Sequence, residues 1–356
     1  MKPFFQDDAI TMAPAWSHAR GTDGDVVVST RMRLARNVAI APFPGQATDE
    51  DLERVAQACR APFEDSADFC DFRLLDVAAM DPVTLRSLVE RHLVSARLLS
   101  PPEHRYAILS PTGTLAVMVN EEDHLRMQCF LPGRDIKGAW NILDRLDDWL
   151  SATLPWCFSP RYGYLTTHLA NLGTGLRASA MVHLPALETT GRRDETLRAA
   201  ASLGVAVRGL YGEGSQSAGD LFQVSNRFAL GPAEEEIVGR VDTTAKFLVG
   251  AERQARRRLL DEEEGSLADA AWRAYGILMY ARRLTTAEAL DLLSKLKLGL
   301  DLNLLNVVAR KTVQSLFLAV RPASLQAASG RTLDPKARDR ARADLIRHAL
   351  GGDAAR

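Results

Sequence analysis

Residues 115–150 read LAVMVNEEDHLRMQCFLPGRDIKGAWNILDRLDDWL, and both textures of the fold appear within them. Leu115 to Val119 is a short apolar run and His124 to Phe130 alternates, so each is expected to be a strand. Ile136, Trp140, Leu143, Leu146 and Leu150 then recur at spacings of three and four, which makes one face of an amphipathic helix packed on a sheet. Working outward, further strands are expected at Tyr106 to Leu109, Leu176 to His183, Val205 to Leu210 and Leu221 to Val224. Asp81 and Pro82 supply a cap and first-turn proline for a helix running to about Ser95. Mixed α/β texture therefore extends from about Val26 to Leu230.

Beyond about Pro232 the strand signals stop. Helical patterns follow over Ala233 to Glu264, Leu267 to Ala281, Thr286 to Leu298 and Leu304 to Val320, and a last helix starts at Asp334-Pro335 and ends before Gly351. We place a boundary near residue 255, which divides the chain into 1–255 and 256–356.

At 356 residues, 46% hydrophobic and 25% charged, the chain has room for two or three domains with substantial cores. A net charge of -1 argues against a coat for nucleic acid or for an anionic membrane. Cys59, Cys70, Cys129 and Cys157 lie far apart without a CxxC pair, so neither a structural metal nor a disulfide framework is expected. The N-terminus carries acidic residues where a signal peptide needs an apolar core, and no run reaches the ~18 apolar residues of a membrane span. A cytoplasmic protein with reduced thiols is the expectation.

The usual phosphate-binding signatures, GxxxxGK[ST], GxGxxG after a strand, and HRD with DFG, are missing. Arginines occur instead in short clusters: Ser29-Thr30-Arg31-Met32-Arg33, His124-Leu125-Arg126, Arg177-Ala178-Ser179 and Arg208-Gly209. In a strand Arg31 and Arg33 would share a face. Converging guanidinium forks suit phosphate oxygens, although any one arginine is ordinarily a surface residue. Arg177 stands out because it interrupts the core-like run Leu176 to Val182, where a buried charge needs a partner. Acids sit in Asn120-Glu121-Glu122-Asp123-His124 after one strand and at Glu213, in a Gly-flanked loop after another. Such loops suit a site, though each alone could be a polar turn.

Taken in order, STRMRLARN, VNEEDHLRMQ, NLGTGLRAS and RGLYGEGS, spread over residues 29–215, resemble the signature blocks of the ATP:guanido phosphotransferases. Within that family the chain is most similar to the bacterial protein arginine kinases. The first block begins at Ser29, leaving no room for the roughly 100-residue helical domain with which small-molecule guanidino kinases enclose free substrate. A helical C-terminal region also carries Arg338-Asp339-Arg340-Ala341-Arg342-Ala343, similar to the family's RDxxRA phosphoarginine pocket. By charge pattern alone that run would be a solvated helix face.

The resemblance implies an α+β fold, with a mainly antiparallel sheet flanked by helices in the catalytic domain and an all-helical C-terminal domain. It implies ATP and Mg2+, and protein substrates bearing arginine. It also implies a zinc-containing activator, Clp-type protease machinery and a homodimer. Nucleotide contacts or flanking positions fall on Ser29, Thr30, Arg31, Met32, Arg33, His92, Arg126, Arg177, Ala178, Ser179, Ala180, Met181, Arg208, Gly209, Leu210, Tyr211, Gly212 and Glu213. Glu122 and Glu213 correspond to the carboxylates that hold the substrate guanidinium, one of them acting as base.

One block departs from the family. Where relatives have Thr-x-Cys-Pro-Thr-Asn, this chain has Thr166-Thr167-His168-Leu169-Ala170-Asn171, so His168 replaces the active-site thiol in the substrate loop that also carries Asn171. A thiolate would add negative charge beside the substrate. A neutral imidazole offers only a hydrogen bond, and a protonated one repels a guanidinium. Three readings follow: a protein arginine kinase, a kinase for free arginine or a related small guanidine, and a weakened or inactive phosphoarginine-binding adaptor.

Overall fold

Along β1 (Val27–Arg36), alternate side chains meet two different environments, and the rest of the fold is arranged around that division. The computed structural model describes residues 14–17, 21–211, 217–262 and 265–351. After β1 come α1 (Asp49–Asp65), β2 (Arg73–Asp76), α2 (Pro82–Glu90), β3 (Tyr106–Leu109), β4 (Leu115–Val119), β5 (Leu125–Pro132) and α3 (Ile136–Ser151). A small hairpin, β6 (Phe158–Ser159) and β7 (Gly163–Tyr164), precedes β8 (Leu176–His183), α4 (Pro185–Thr189), α5 (Arg193–Ser202), β9 (Val205–Tyr211) and β10 (Ser217–Asn226). The remainder is helical: α6 (Glu234–Glu262), α7 (Ser266–Tyr280), α8 (Thr286–Asp301), α9 (Arg310–Ala319), α10 (Pro322–Ser329) and α11 (Pro335–Ala349).

Eight strands form one sheet in the order β2-β3-β4-β5-β1-β8-β10-β9, with every neighbouring pair antiparallel. Because side chains alternate across a strand, each strand divides its residues between two layers. Met32, Leu34, Met127, Cys129, Leu176, Ala178, Ala180, Phe222 and Val224 join the main core with Ile136, Ala139, Leu143 and Leu150 of α3 and with Val241, Ala245 and Leu248 of α6. Each fully buried aliphatic side chain stabilises this layer by about 1.5–3 kcal/mol.

Helices cover both ends of the opposite face, and Trp16 and Leu318 close on Phe130 of β5 between them. At one end, Leu85 and Leu88 of α2 pack on Ala116 and Met118 of β4; at the other, Leu221 of β10 packs into the helical cluster of Leu290, Leu293, Val313 and Phe317. The arginines lie on the remainder of this face.

Helix starts follow their side chains. Thr48 and Asp51 form a reciprocal capping box on α1. Asp81 accepts from Thr84 N–H at 2.9 Å ahead of Pro82, and Asp334 from Ala337 N–H at 2.8 Å ahead of Pro335, as the sequence suggests. Two ends differ from expectation. Helix α2 stops at Glu90 instead of Ser95, because His92 turns left-handed at φ +60°. The carbonyls of His92 and Leu93 are taken by the Gln128 side chain at 2.9 and 2.7 Å. The helix expected over Leu304 to Val320 begins only at Arg310. Asn303 is left-handed at φ +58°, and the Arg310 guanidinium donates to Leu300 O (2.6 Å) and Asn303 Oδ1 (2.8 Å), closing the end of α8. Residue 255, expected as a boundary, falls within α6.

A buried ion pair ties sheet to helix. Arg36, 1% exposed, meets Asp147 of α3 through Nε at 3.1 Å and Nη2 at 2.6 Å. Its Nη1 donates to Ala35 O and Thr174 O at 3.0 and 2.9 Å, and the guanidinium lies 3.4 Å from the Tyr164 ring centroid. Each nitrogen of this guanidinium thereby has a partner, which is the condition for burying the charge.

Candidate active site

Strand register brings distant arginines onto one face. Arg33 pairs with Arg177 across β1 and β8, and Arg31 with Ser179. Ala35 pairs with Arg126, and Arg33 with Gln128, across β1 and β5, while Arg208 of β9 pairs with Gln223 of β10. Burial, then the neighbouring guanidiniums of Arg31, Arg126 and Arg177, drives the Arg33 pKa far down, against an opposing pull from Glu122. Arg177 is lowered by burial and then by Arg208 and Arg126. Like charges held together in a part-buried site favour an anion between them. Consistent with that, Arg33 Nε and Arg177 Nε are buried without a hydrogen-bond partner among the described residues.

A cavity of about 260 Å³ is lined by Arg33, Arg126, Arg177, Glu122, His168 and Asn171. The acid stands in the turn between β4 and β5. Glu122 Oε1 accepts from Asn171 Nδ2 at 3.1 Å and lies 4.0 Å from Arg126 Nη1. Its Oε2 is 3.2 Å from His168 Nε2 and 3.7 Å from Arg97 Nη1. The turn is held rigidly. Glu121 accepts from Arg126 Nη1 at 2.7 Å, from Ser95 Oγ and from Glu122 N–H at 2.8 Å. Asp123 accepts from Asn37 Nδ2 and Thr167 N–H, both at 2.7 Å. His124 Nδ1 accepts from Val38 N–H at 3.1 Å, leaving Nε2 to donate to Pro42 O at 3.0 Å. Burial, partly opposed by Pro42, Asp123 and Val38, lowers the His124 pKa and favours this neutral ring.

Beyond Arg33 the same face continues to a smaller hollow lined by Ser29, Arg31, His92, Phe130, Ser179 and Met181. Arg31 covers the Phe130 ring at 5.4 Å, and Phe130 stacks on Trp16 at 5.0 Å. Burial first, then the charges of Arg31, Arg321 and Arg33, pushes the His92 pKa well down, so the ring is neutral near pH 7. A larger cleft, about 740 Å³, lies elsewhere beside Asp25, Lys297 and Arg310. Its buried Lys297 is already held by Asp25 O (3.0 Å) and Asp301 (2.5 Å).

Not every residue expected at the site points there. Ser29, Arg31, Arg33, Arg177, Ser179, Met181 and Arg208 occupy register positions on the open face. Met32, Ala178 and Ala180 point into the core, and Thr30 Oγ1 donates to Gly133 O at 2.8 Å. Gly209 lies in β9 and pairs with Phe222; Leu210 and Tyr211 end that strand. Gly212 and Glu213 lie outside the described residues. Arg97 and Gln128 touch or brace the site without having been singled out for it, and Glu121, expected only as part of an acidic loop, braces Arg126. Arg97 lies in a one-turn segment, Ala96–Leu99, with no periodicity to mark it.

The loop with His168 does reach Glu122, and His168 Nε2 also lies 3.1 Å from Arg97 Nη1. The four thiols are elsewhere: Cys59 and Cys129 are buried and pushed up to about 12 by that burial, and burial also raises Cys157. Only Cys70 is exposed. Thiolates are the reactive form, so mild alkylation is expected to modify Cys70 first and leave most phosphotransfer intact. Measured loss of more than about half the activity at one label per chain, a departure of ~0.4 kcal/mol in barrier, would contradict this.

In α11 the expected phosphoarginine motif is not a solvated face. Arg342, 1% exposed, donates to Val320 O (2.7 Å), Leu284 O (2.6 Å) and Asp339 (2.7 Å), and Ala343 enters the helical core. Arg338 donates to Leu333 O at 3.2 Å. Ala341 is half-buried and Arg340 is exposed.

The fold is shared with solved guanidino kinases. Lombricine kinase aligns with TM-score 0.59 and 23% identity over 72% of this chain and 74% of that one. The duplicated taurocyamine kinase from Schistosoma mansoni, with bound transition state analog components, aligns with TM-score 0.60 and 24% identity over 73% of this chain and 39% of that one. Residues 54–255 match the family model for the ATP:guanido phosphotransferase C-terminal catalytic domain, and residues 264–355 match that for the protein-arginine kinase McsB C-terminal domain. The protein-arginine kinase of Desulforamulus reducens is 41% identical over 338 residues, 94% of this chain and 95% of the relative. That of Pelotomaculum thermopropionicum is 40% identical over 335 residues, 93% and 94% of the two chains. The chain belongs to the ATP:guanido phosphotransferase family, on its protein-arginine kinase branch.

Proposed function

We propose that this protein is an ATP-dependent kinase that transfers the γ-phosphate of ATP to the guanidinium of arginine residues in proteins, with Glu122 as the acid that receives the substrate. The observation that carries this reading is Glu122 facing Arg33, Arg126 and Arg177 across one cavity. A carboxylate matches a guanidinium, and the arginines match the transferring phosphate. Relatives named protein-arginine kinase over 93–94% of the chain favour a protein-borne arginine over a free guanidine or an inactive adaptor.

An arginine guanidinium, with a pKa near ~13.8, has almost no nucleophilic lone pair at neutral pH. In the proposed step its terminal nitrogen forms the N–P bond as the bond to ADP breaks, and its proton passes to Glu122 or Glu213. The guanidiniums of Arg31, Arg33, Arg126, Arg177 and Arg208 neutralise the phosphoryl oxygens. Positioning is expected to dominate, at about 7–11 kcal/mol against roughly 3–5 from general-base help. No trio of His, Cys, Asp or Glu able to hold a metal occurs among the described residues. Any Mg2+ would enter with the nucleotide and would add positive charge beside the arginine face.

A zinc-containing activator, Clp-type protease machinery, a homodimer and a cytoplasmic site belong to the same proposal, resting on the family resemblance. Among the described residues no helix is long and apolar enough to cross a membrane. The deciding experiment incubates the protein with ATP and either free arginine or an arginine-rich protein, with mass spectrometry at non-acidic pH because phosphoramidates are acid-labile. Phosphoarginine on the protein, with little on free arginine, is expected. The reverse would assign a small-molecule kinase, and neither product an adaptor.

A further inference from the structure

If phosphotransfer occurs beside Glu122, the far end of the nucleotide must run along the open face past Arg33 to the hollow at Ser29, His92 and Met181. The helical region packs behind that end. Met181 lines this hollow and also a second, apolar one closed by Gln314, Phe317 and Leu318 of α9. Leu318 forms a separate buried cluster with Trp16 and Phe130, and Phe130 is the ring beneath Arg31.

The same place is held from a second direction. Glu90, two residues before His92, accepts from Ala323 N–H through Oε1 at 2.9 Å and from Ser324 N–H through Oε2 at 2.7 Å. These are first-turn amides of α10, which have no partner within the helix and favour a negative charge. Arg321 is the N-cap residue of α10, with no side-chain capping bond, and its charge is among those felt by His92. Gln128 of β5 grips the carbonyls of His92 and Leu93. One short segment, Glu90 to Leu93, is therefore fixed to the sheet by Gln128 and to α10 by Glu90, which ties the start of α10 to the backbone that carries His92.

We infer that the helical region completes the nucleotide end of the cleft, with Arg321 as a positioning residue for ATP and Glu90 as the residue that sets Arg321 in place. This rests on the proposed function and extends it, since neither residue belongs to the strand motifs. The competing explanation is that Glu90 and α10 form a structural seam with no bearing on ATP.

The test is steady-state kinetics of the full chain with ATP and an arginine-rich protein, alongside thermal melting. Arg321→Ala is expected to raise KM for ATP about tenfold, the effect of losing one charge-assisted contact. Its kcat and its KM for the protein are expected to stay within about twofold. Arg321→Lys should recover most of the loss, and Glu90→Gln should shift KM for ATP in the same direction by less. The inference is overturned if Arg321→Ala leaves KM for ATP within about twofold, or if both KM values and the melting temperature change together as a structural seam requires. Arg33→Ala, run in parallel, separates the two levels. If it retains wild-type ATP affinity, the arginine face is not the nucleotide site and both readings fall; if it loses affinity while Arg321→Ala does not, only the inference falls.

Discussion

Replacing Glu122 by glutamine is expected to lower phosphoarginine formation about 10³-fold while changing the Kd for ATP by less than about threefold. The side chain keeps its shape but loses the charge that holds a guanidinium and the basicity that accepts its proton. The surroundings predict that the loss is local. The turn is fixed by Asp123 through Asn37 and Thr167 N–H, and by Glu121 through Arg126, none of which needs the Glu122 carboxylate. Glu122→Asp tests geometry separately, because it retains charge but withdraws it by one methylene, and an intermediate rate is expected. The comparison is made on kcat with a protein substrate and on nucleotide binding by calorimetry. A glutamine variant that turns over at the wild-type rate would remove Glu122 from the chemistry, and one that no longer binds ATP would make it a structural brace.

The second large effect concerns stability. Arg36→Met is expected to destabilise the fold by about 3–5 kcal/mol, because Asp147 would be left as a buried charge without its partner. Burial already pushes the Asp147 pKa up against the pull of Arg36, so loss of that pull favours the neutral acid without restoring the bonds to Ala35 O and Thr174 O. The double variant Arg36→Met with Asp147→Leu is expected to recover much of the loss, since a packed apolar pair of similar volume replaces a costly ion pair. Chemical denaturation of the single and double variants checks both. Equal stability of Arg36→Met and wild type would mean that the pair contributes nothing net.

Much of the site was legible because strand alternation is a local rule. Arg31 and Arg33 share a face by spacing alone, and the apolar run around Arg177 marked it as a charge inside a sheet. Which strands lie side by side is not local. That Arg33 meets Arg177 across β1 and β8, with Arg126 one strand further on, required the register itself. Helix starts were readable from Asp81-Pro82 and Asp334-Pro335, since a cap and a first-turn proline act on their own neighbours. Helix ends were less so: His92 and Asn303 take left-handed conformations that distant or later side chains, Gln128 and Arg310, help to fix. Arg97 escaped notice for the same reason, as its role comes from partners brought in by the fold.

The open face gathers five guanidiniums against two described carboxylates, Glu121 and Glu122, and that imbalance dictates traffic through the cleft. An incoming cationic side chain meets a wall of its own sign until a polyanion has neutralised it. The nucleotide is therefore expected to arrive first, and a loaded protein, no longer repelling itself, becomes the species that captures arginine.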